Sequence, residues 1–335
     1  MYFSRWREIL PGLPVVAKTA FTRNLKKYFG SSGYGVAGIV CCFFFFGLLL
    51  AGCEPVKEER GQVVERDNDG FPIEVIDYGG RKLRFEEPPQ SFVSTLPSIT
   101  EILFALELGD RVKAVTTYCD YPPDIETRSM GWGELDQEML SGLVPDLIIA
   151  GQGQQYVADI SQLVPDTACF ILAPRSFDEI PEAILLLGEI TGREEQALLI
   201  AEEMVERKEQ VVREASQVPS ARQIDVMVLA SPDELVAAGD KTFAGELVKM
   251  AGGNNLAAEK EGYYTLEKEK LFELDPEVII FLAPWEQLLV GEDWPDELQA
   301  FQLGQVYHLD VALLTRPGPR MADGLEEIFS ILHRT

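Results

Sequence analysis

His308 and His333 are the only two histidines in 335 residues. That leaves little for acid–base catalysis near neutrality, where imidazole is the group that titrates unaided. It leaves equally little for a bare zinc or manganese ion, whose sites draw on several imidazoles or thiolates, and no C-x-x-C pair occurs. Gly151-Gln152-Gly153 follows an apolar run, but Tyr156 stands where a dinucleotide fingerprint needs its third glycine, and there is no G-x-x-x-x-G-K-[ST] phosphate loop. What the chain offers instead is aromatic surface. Trp132 lies between Gly131 and Gly133. An indole is a large, rigid apolar face that suits ligand capture, and flanking glycines let backbone come close to a ligand. The plainer alternative is a core tryptophan, although glycines on both sides make a poor core strand. Tyr118 and Tyr121 sit in Tyr118-Cys119-Asp120-Tyr121-Pro122-Pro123, a loop stiffened by prolines that fix φ and block helix. One of the two facing a ligand while the other packs is the expected division. This is chemistry for capture, and we expect no enzyme.

Such loops need a frame. Residues 191–217 contain no proline and are rich in strong helix formers. Their apolar positions recur at helical spacing, as Ala197, Ala201, Met204, Val211 and Ala215, flanked by Leu198, Val205 and Val212. The expected helix, 193–217, is a strut of roughly 37 Å at about 1.5 Å per residue. Short apolar runs alternate with amphipathic helices on both sides of it, the pattern of parallel α/β sheets. We therefore expect an α/β fold of two Rossmann-like lobes with parallel sheets, residues 73–190 and 219–335, joined by one long backbone helix at 191–218. Ser98 and Glu101 are spaced as a capping box, with Gly109 as the residue beyond the helix end. Further helices are expected over 155–164 and from Ser176 onward. Ligands of such sheets sit beyond the carboxyl ends of the strands. The loops after Thr95, Thr116, Ala150, Ala230 and Leu309 then surround one cleft.

The amino-terminal segment has a different character. Six of the 29 basic residues, but only one of the 55 acidic ones, lie in the first 52 positions, so the rest of the chain carries net charge −31. A surface that acidic repels phosphate backbones and excludes nucleic acid as a partner. Basic residues end at Lys27, and residues 36–50 are almost wholly apolar. With the small residues that follow, this reads as an export signal. Leu50-Ala51-Gly52-Cys53 resembles the bacterial lipobox, which implies cleavage before Cys53 and a lipid on its sulfur. A plain transmembrane anchor is the alternative. Residues 53–72 are expected to be a tether. Cys119 and Cys169 are left to pair or not, which spacing does not decide.

Longer motifs carry a family resemblance. Residues 97–106 (PSITEILFAL), Gly109-Asp110-Arg111-Val112 and the Tyr118–Pro123 loop resemble the amino-terminal lobe of class III solute-binding proteins of ABC importers. Within that class they are most similar to the periplasmic vitamin B12-binding proteins. Val144-Pro145-Asp146-Leu147 matches the class's strand start, with Val144 for the usual lysine, and Leu274-Asp275-Pro276-Glu277 is its counterpart. Residues 238–256 and Arg316-Pro317-Gly318-Pro319-Arg320 resemble the second lobe, and the resemblance covers roughly residues 73–333.

It implies a metal chelate held between two lobes that a long helix keeps apart, with little hinge motion. It implies no cofactor of the protein's own, and a monomer that meets an inner-membrane ABC permease. By the same resemblance Trp132 aligns with an aromatic that contacts the corrin. Tyr263 falls where relatives often carry tryptophan, with Tyr264 leaving the register open. Arg316 falls where an arginine reaches polar groups of the ligand, and Ala312 stands where some relatives have an acid near it. Arg320 reads as a helix-start residue. Glu138 and Glu269 fall where one glutamate per lobe docks on permease arginines, and two like charges on separate lobes make a two-point fit. The alternative ligands are haem and a ferric siderophore. An anionic chelate would want several arginines, drawn from Arg316, Arg128 and Arg175. Haem would want an axial ligand such as Tyr118, Tyr121 or Tyr263.

Overall fold

The computed structural model describes residues 60–67, 70–123, 125, 128–130, 137–153, 164, 167–219, 222–231, 234–284 and 294–333. All of them fall within one unit, Glu59–Thr335. The export signal, Cys53, Trp132 and, Val164 apart, the helix expected over 155–164 lie outside the described residues.

Parts of the expected tether, residues 60–67 and 70–72, fall among the described residues. Strand β1 (Gln62–Arg66) pairs antiparallel with β2 (Ile73–Ile76), which pairs with β3 (Lys82–Phe85). Ion pairs also hold this segment: Arg60 to Glu179 at 3.3 Å and Arg66 to Glu194 at 2.7 Å. At the β2–β3 turn the buried Asp77 accepts from the N–H groups of Gly79 and Arg81 and from that of Ile171, at 2.9, 2.8 and 3.0 Å. Arg81 donates to the carbonyl of Cys169 at 2.8 Å. The hairpin therefore covers backbone groups that an edge strand would otherwise leave open.

That edge strand belongs to the first large sheet. It comprises β4 (Phe92–Ser94), β5 (Val112–Thr116), β6 (Arg128–Met130), β7 (Leu147–Ala150) and β8 (Ala168–Ile171), all parallel in the order β6-β5-β4-β7-β8. Helices α1 (Pro97–Ala105) and α2 (Gln137–Leu143) lie between strands, and α3 (Glu179–Thr191) with α4 (Glu194–Ala215) follow. The second sheet is built from β9 (Asp225–Ser231), β10 (Val236–Ala238), β11 (Asn254–Asn255), β12 (Tyr263–Thr265), β13 (Val278–Phe281) and β14 (Val306–His308). Its order is β12-β10-β9-β13-β14, with β11 beside β9. Its helices are α5 (Phe243–Met250), α6 (Lys268–Leu274), α7 (Gln299–Gln302), α8 (Val311–Thr315) and α9 (Met321–Leu332). The β9-β13-β14 centre is parallel, as expected, but β10 runs antiparallel to both β9 and β12. Only four residues separate β9 from β10, too few for the crossover that a parallel pair requires.

Alternation along the strands builds three cores. Leu147 and Ile149 of β7, and Val226 and Val228 of β9, join one core shared with α1, α3, α4, α5 and α9. Ile148 and Ala150 face a second core, and Met227 and Leu229 a third. The two sheets thus meet through helices that serve both. Helix α4 is central to this: Ala197, Ala201, Met204, Val211 and Ala215 are its buried residues. It is 22 residues long, about 33 Å. Near its start Gln196 donates to the carbonyl of Ala105, and further along Arg207 binds Asp323 and Glu326, each at 2.6 Å. Gly192, at φ 68°, turns the chain from α3 into α4. Gly188 is required for their close packing, since a Cβ there would fall 2.3 Å from that of Ala197.

Two local expectations fail at α1. No side chain caps it: Leu96 is the N-cap and Pro97 opens the first turn, where a missing N–H costs nothing. Its Glu101 is engaged elsewhere, as described below. The residue that turns left-handed after the helix is Glu107, at φ 59°, not Gly109. Gly109 serves packing instead, because a Cβ there would meet the Phe104 ring at 2.6 Å. Among the described residues no helix is long and apolar enough to cross a membrane.

Candidate functional site

The loop after β5 is anchored from beneath by a buried thiol. The Thr100 hydroxyl reaches Cys119 Sγ at 3.1 Å and Ser94 Oγ at 2.8 Å, and Thr116 Oγ1 lies 3.3 Å from the same sulfur. Cys119 and Cys169 are both free and buried. Pinning Cys119 inward leaves Tyr118 and Tyr121 outward, at 52% and 39% exposure. The Tyr121–Pro122 peptide is cis. The Arg320 guanidinium lies 4.0 Å from the Tyr121 ring centroid, a cation–π contact.

That arginine belongs to a four-residue ion cluster. Arg316 and Arg320 come from the turn between α8 and α9, Glu101 from α1, and Asp120 from the loop between the two tyrosines. Arg320 makes a two-pronged pair with the buried Glu101, Nε to Oε2 at 3.0 Å and Nη2 to Oε1 at 2.7 Å. Arg316 makes another with Asp120, at 2.5 and 3.1 Å, and its Nη1 lies 3.5 Å from Glu101. Paired guanidinium–carboxylate forks of this kind are strong and directional. The hydrogen bond from Arg316 holds the Asp120 carboxyl below the usual carboxylate range, and Asp120 in turn raises Arg316. The Glu101 bond raises Arg320. These contacts link residues 196 to 219 positions apart in sequence. Ala312 leaves Arg316 without an acid on the preceding helix, and Asp120 supplies one from the other side of the chain. Arg175 lies 4.0 Å from Glu179, and the side chain of Arg128 is outside the described residues.

Tyr263 is carried separately, on the edge strand of the second sheet. It pairs with Ala238, while Thr265 is level with Val236 and hence with Ser231 at the carboxyl end of β9. Tyr263 is therefore set back from that rim by two residues, about 7 Å. The neighbouring Tyr264 is half-buried, donates to the carbonyl of Ala257 at 3.0 Å and carries Lys260 over its ring. Tyr263 is the exposed one, at 44%. Desolvation of its hydroxyl pushes its pKa up to about 12, so at neutral pH it offers a neutral ring.

Glu138 and Glu269 occupy matching places. Each is the second residue of a seven-residue helix, α2 or α6, and each is exposed. Each helix is followed by one residue in left-handed backbone, Val144 at φ 41° or Asp275 at φ 40°, then by proline, an acid and a four-residue parallel strand. The acids match as well. Asp146 accepts from the N–H of Gln90 at 2.7 Å, and Glu277 from that of Asp225 at 2.9 Å, in both cases beside the neighbouring central strand.

The structure thus gathers Tyr118, Tyr121 and Arg316 into one neighbourhood and places Tyr263, Glu138 and Glu269 on other elements. Sequence reasoning missed Asp120 and Glu101 as members of the site. Spacing assigned Glu101 to a local cap, and no local signal marks a partner some 200 residues away. Among the described residues no group of three or more His, Cys, Asp or Glu is arranged to hold a metal ion.

Comparison with known proteins places this geometry. The family described as periplasmic binding protein matches residues 93–312. An uncharacterized ABC transporter substrate-binding lipoprotein of Bacillus subtilis (strain 168) is 28% identical over 299 residues, spanning 87% of this chain and 95% of that protein. The crystal structure of the periplasmic vitamin B12-binding protein of Vibrio cholerae superposes with a TM-score of 0.64 at 27% identity, covering 73% of this chain and 97% of that one. A periplasmic heme-binding protein from Roseiflexus sp. RS-1 gives a TM-score of 0.63 at 22% identity, over 73% of this chain and 98% of that one, a likeness of fold.

Proposed function

This chain belongs to the periplasmic binding protein family, whose members bind solutes and are not enzymes, and from that premise we propose that it captures cobalamin or a related corrinoid and delivers it to an ABC permease. The observation that carries the ligand class is the charge state of the site. Glu101, Asp120, Arg316 and Arg320 neutralise one another beside Tyr118 and Tyr121. An aromatic, charge-balanced surface suits a large chelate without strong net charge. The similarity to the Vibrio cholerae vitamin B12-binding protein supports the same class. Trp132 and Tyr263 add aromatic contacts in this reading, and Arg316 reaches polar groups on the ligand's rim.

The domain reading is two α/β lobes, residues 73–190 and 219–335, with helix α4 as the strut that sets their separation. Glu138 and Glu269 are the permease contacts, one per lobe, and their matching positions support that role. Cys53 carries a lipid after cleavage of residues 1–52, which tethers an exported monomer to a bacterial membrane, on its periplasmic or cell-surface face. The similarity to a Bacillus subtilis lipoprotein supports the anchor. Haem or a ferric siderophore on the same scaffold is the competing ligand. Titration of the purified protein with cyanocobalamin, cobinamide, haemin and a ferric siderophore, followed by calorimetry, separates them. Corrinoid binding is the expected result; binding of haemin or siderophore alone overturns the ligand and leaves the family intact.

A further inference from the structure

We propose that Asp120 is a selectivity residue: by occupying Arg316 from the opposite side of the chain, its carboxylate excludes anionic chelates from the site. The inference rests on the ligand reading above and deepens it.

The argument is one of charge accounting among named groups. Arg316 and Arg320 are the cations of the site, and each is held by two prongs of a carboxylate, with Glu101 placed between them. The charges of the four groups sum to zero. Asp310, the N-cap of α8, adds a negative field at Arg320. An anionic group on a ligand that approaches the outer N–H groups of Arg316 meets the Asp120 carboxylate or must displace it. Either way a carboxylate stands beside the incoming anion, and like charges brought together at a partly desolvated site oppose binding strongly. A neutral ligand meets no such opposition, since it can accept from the outer N–H groups of Arg316 while the fork stays made. Geometry makes Asp120 the replaceable partner. Its side chain is 66% exposed, whereas that of Glu101 is 3% exposed and holds both arginines. Asp120 is also aimed by structure, because Cys119, the residue immediately before it, is held by Thr100 and Thr116. Removing the Asp120 charge would leave Arg316 with a surplus that the shared Glu101, 3.5 Å away and already paired with Arg320, offsets in part.

The test is the ratio of haemin to cyanocobalamin affinity, measured for the mature protein and its variants by fluorescence quenching and calorimetry. Haemin carries two propionates, and cyanocobalamin is neutral overall. In Asp120→Asn the ratio should rise at least about tenfold toward haemin, and the gain should weaken as salt is raised. Asp120→Glu, which keeps the charge, should retain the wild-type ratio. Adding Arg316→Gln to Asp120→Asn should abolish the gain. An unchanged ratio in Asp120→Asn, or an equal rise in the Asn and Glu variants, overturns the proposal. Should Asp120→Asn fold poorly, Asp120→Ser is read against the same two outcomes. The two claims remain separable. Failure of the wild type to bind any corrinoid removes the ligand reading, whereas the exclusion is read from haemin affinity in the variant relative to the wild type. Absence of measurable haemin binding in both also counts against it.

Discussion

The junctions α2–β7 and α6–β13 are the same device built twice, from sequences that share little beyond a proline followed by an acid. Both place a glutamate on the first turn of a seven-residue helix, and both pass through left-handed backbone into a buried parallel strand. They differ at the left-handed residue itself. In the second junction it is Asp275, whose carboxylate accepts from the N–H of Gln299 at 2.8 Å. In the first it is Val144, β-branched and 56% exposed, with no local hydrogen bond available from its side chain. A β-branched residue at positive φ is strained. A matched backbone held by a comfortable residue on one side and a strained one on the other indicates that the shape, more than the residue, is being kept.

The comparison is broken most severely by charge reversal. Glu138→Lys with Glu269→Lys should abolish uptake in a reconstituted transporter while ligand affinity stays intact. The single reversals should each lose a comparable share if the two places are equivalent. Loss of ligand affinity, or a large effect from only one of them, contradicts a paired docking role. Next in size, Glu101→Gln removes the acid that both arginines share across the two halves. Breaking a buried ion pair from one side should destabilise by about 3 kcal/mol, read as a lower urea midpoint. By contrast Glu179→Gln, at the other Ser-x-x-Glu segment, should cost about 1 kcal/mol, because Glu179 serves the local turn, the half-buried Arg60 and the exposed Arg175.

Substitution at the left-handed residues should give opposite signs. Val144→Gly relieves strain and should stabilise by about 1 kcal/mol, whereas Asp275→Gly forfeits the bond to Gln299 and should destabilise by about as much. Equal signs would mean that the junctions are not strained differently. The smallest effect concerns acid. Arg316 holds Asp120 low, and Arg207 holds Glu326 low. Because their folded pKa values lie below the unfolded ones, their contribution is complete above about pH 4.3 and is lost as pH falls through the folded values. Asp120→Asn and Glu326→Gln should therefore lower stability slightly at neutrality, leave it unchanged below the folded pKa values, and so flatten the acid limb of the stability curve.

Much of the frame was legible in the sequence because it rests on local periodicity. The five apolar positions read along 191–217 are the five that α4 buries. The parallel strands β4, β5, β7, β8, β9, β13 and β14 were legible as apolar runs for the same reason. Strands β10 and β12 were not, because three-residue segments such as Val236–Ala238 carry too little pattern, and the turn that reverses β9 into β10 gives no glycine–asparagine signal. At the site, Tyr121 and Arg316 were legible as residue types, but their connection was not. Glu101 looked like a cap because a capping box is defined over four residues, while its true partner is Arg320. Ion pairs between distant segments leave no periodic trace in one sequence.

The central claim is that a charge-balanced aromatic site takes a corrinoid, and the most direct measurement is calorimetric titration of the mature protein with cyanocobalamin against haemin under identical salt. The account predicts saturable one-to-one binding of cyanocobalamin and weaker binding of haemin. Tight haemin binding with no heat from cyanocobalamin would contradict it.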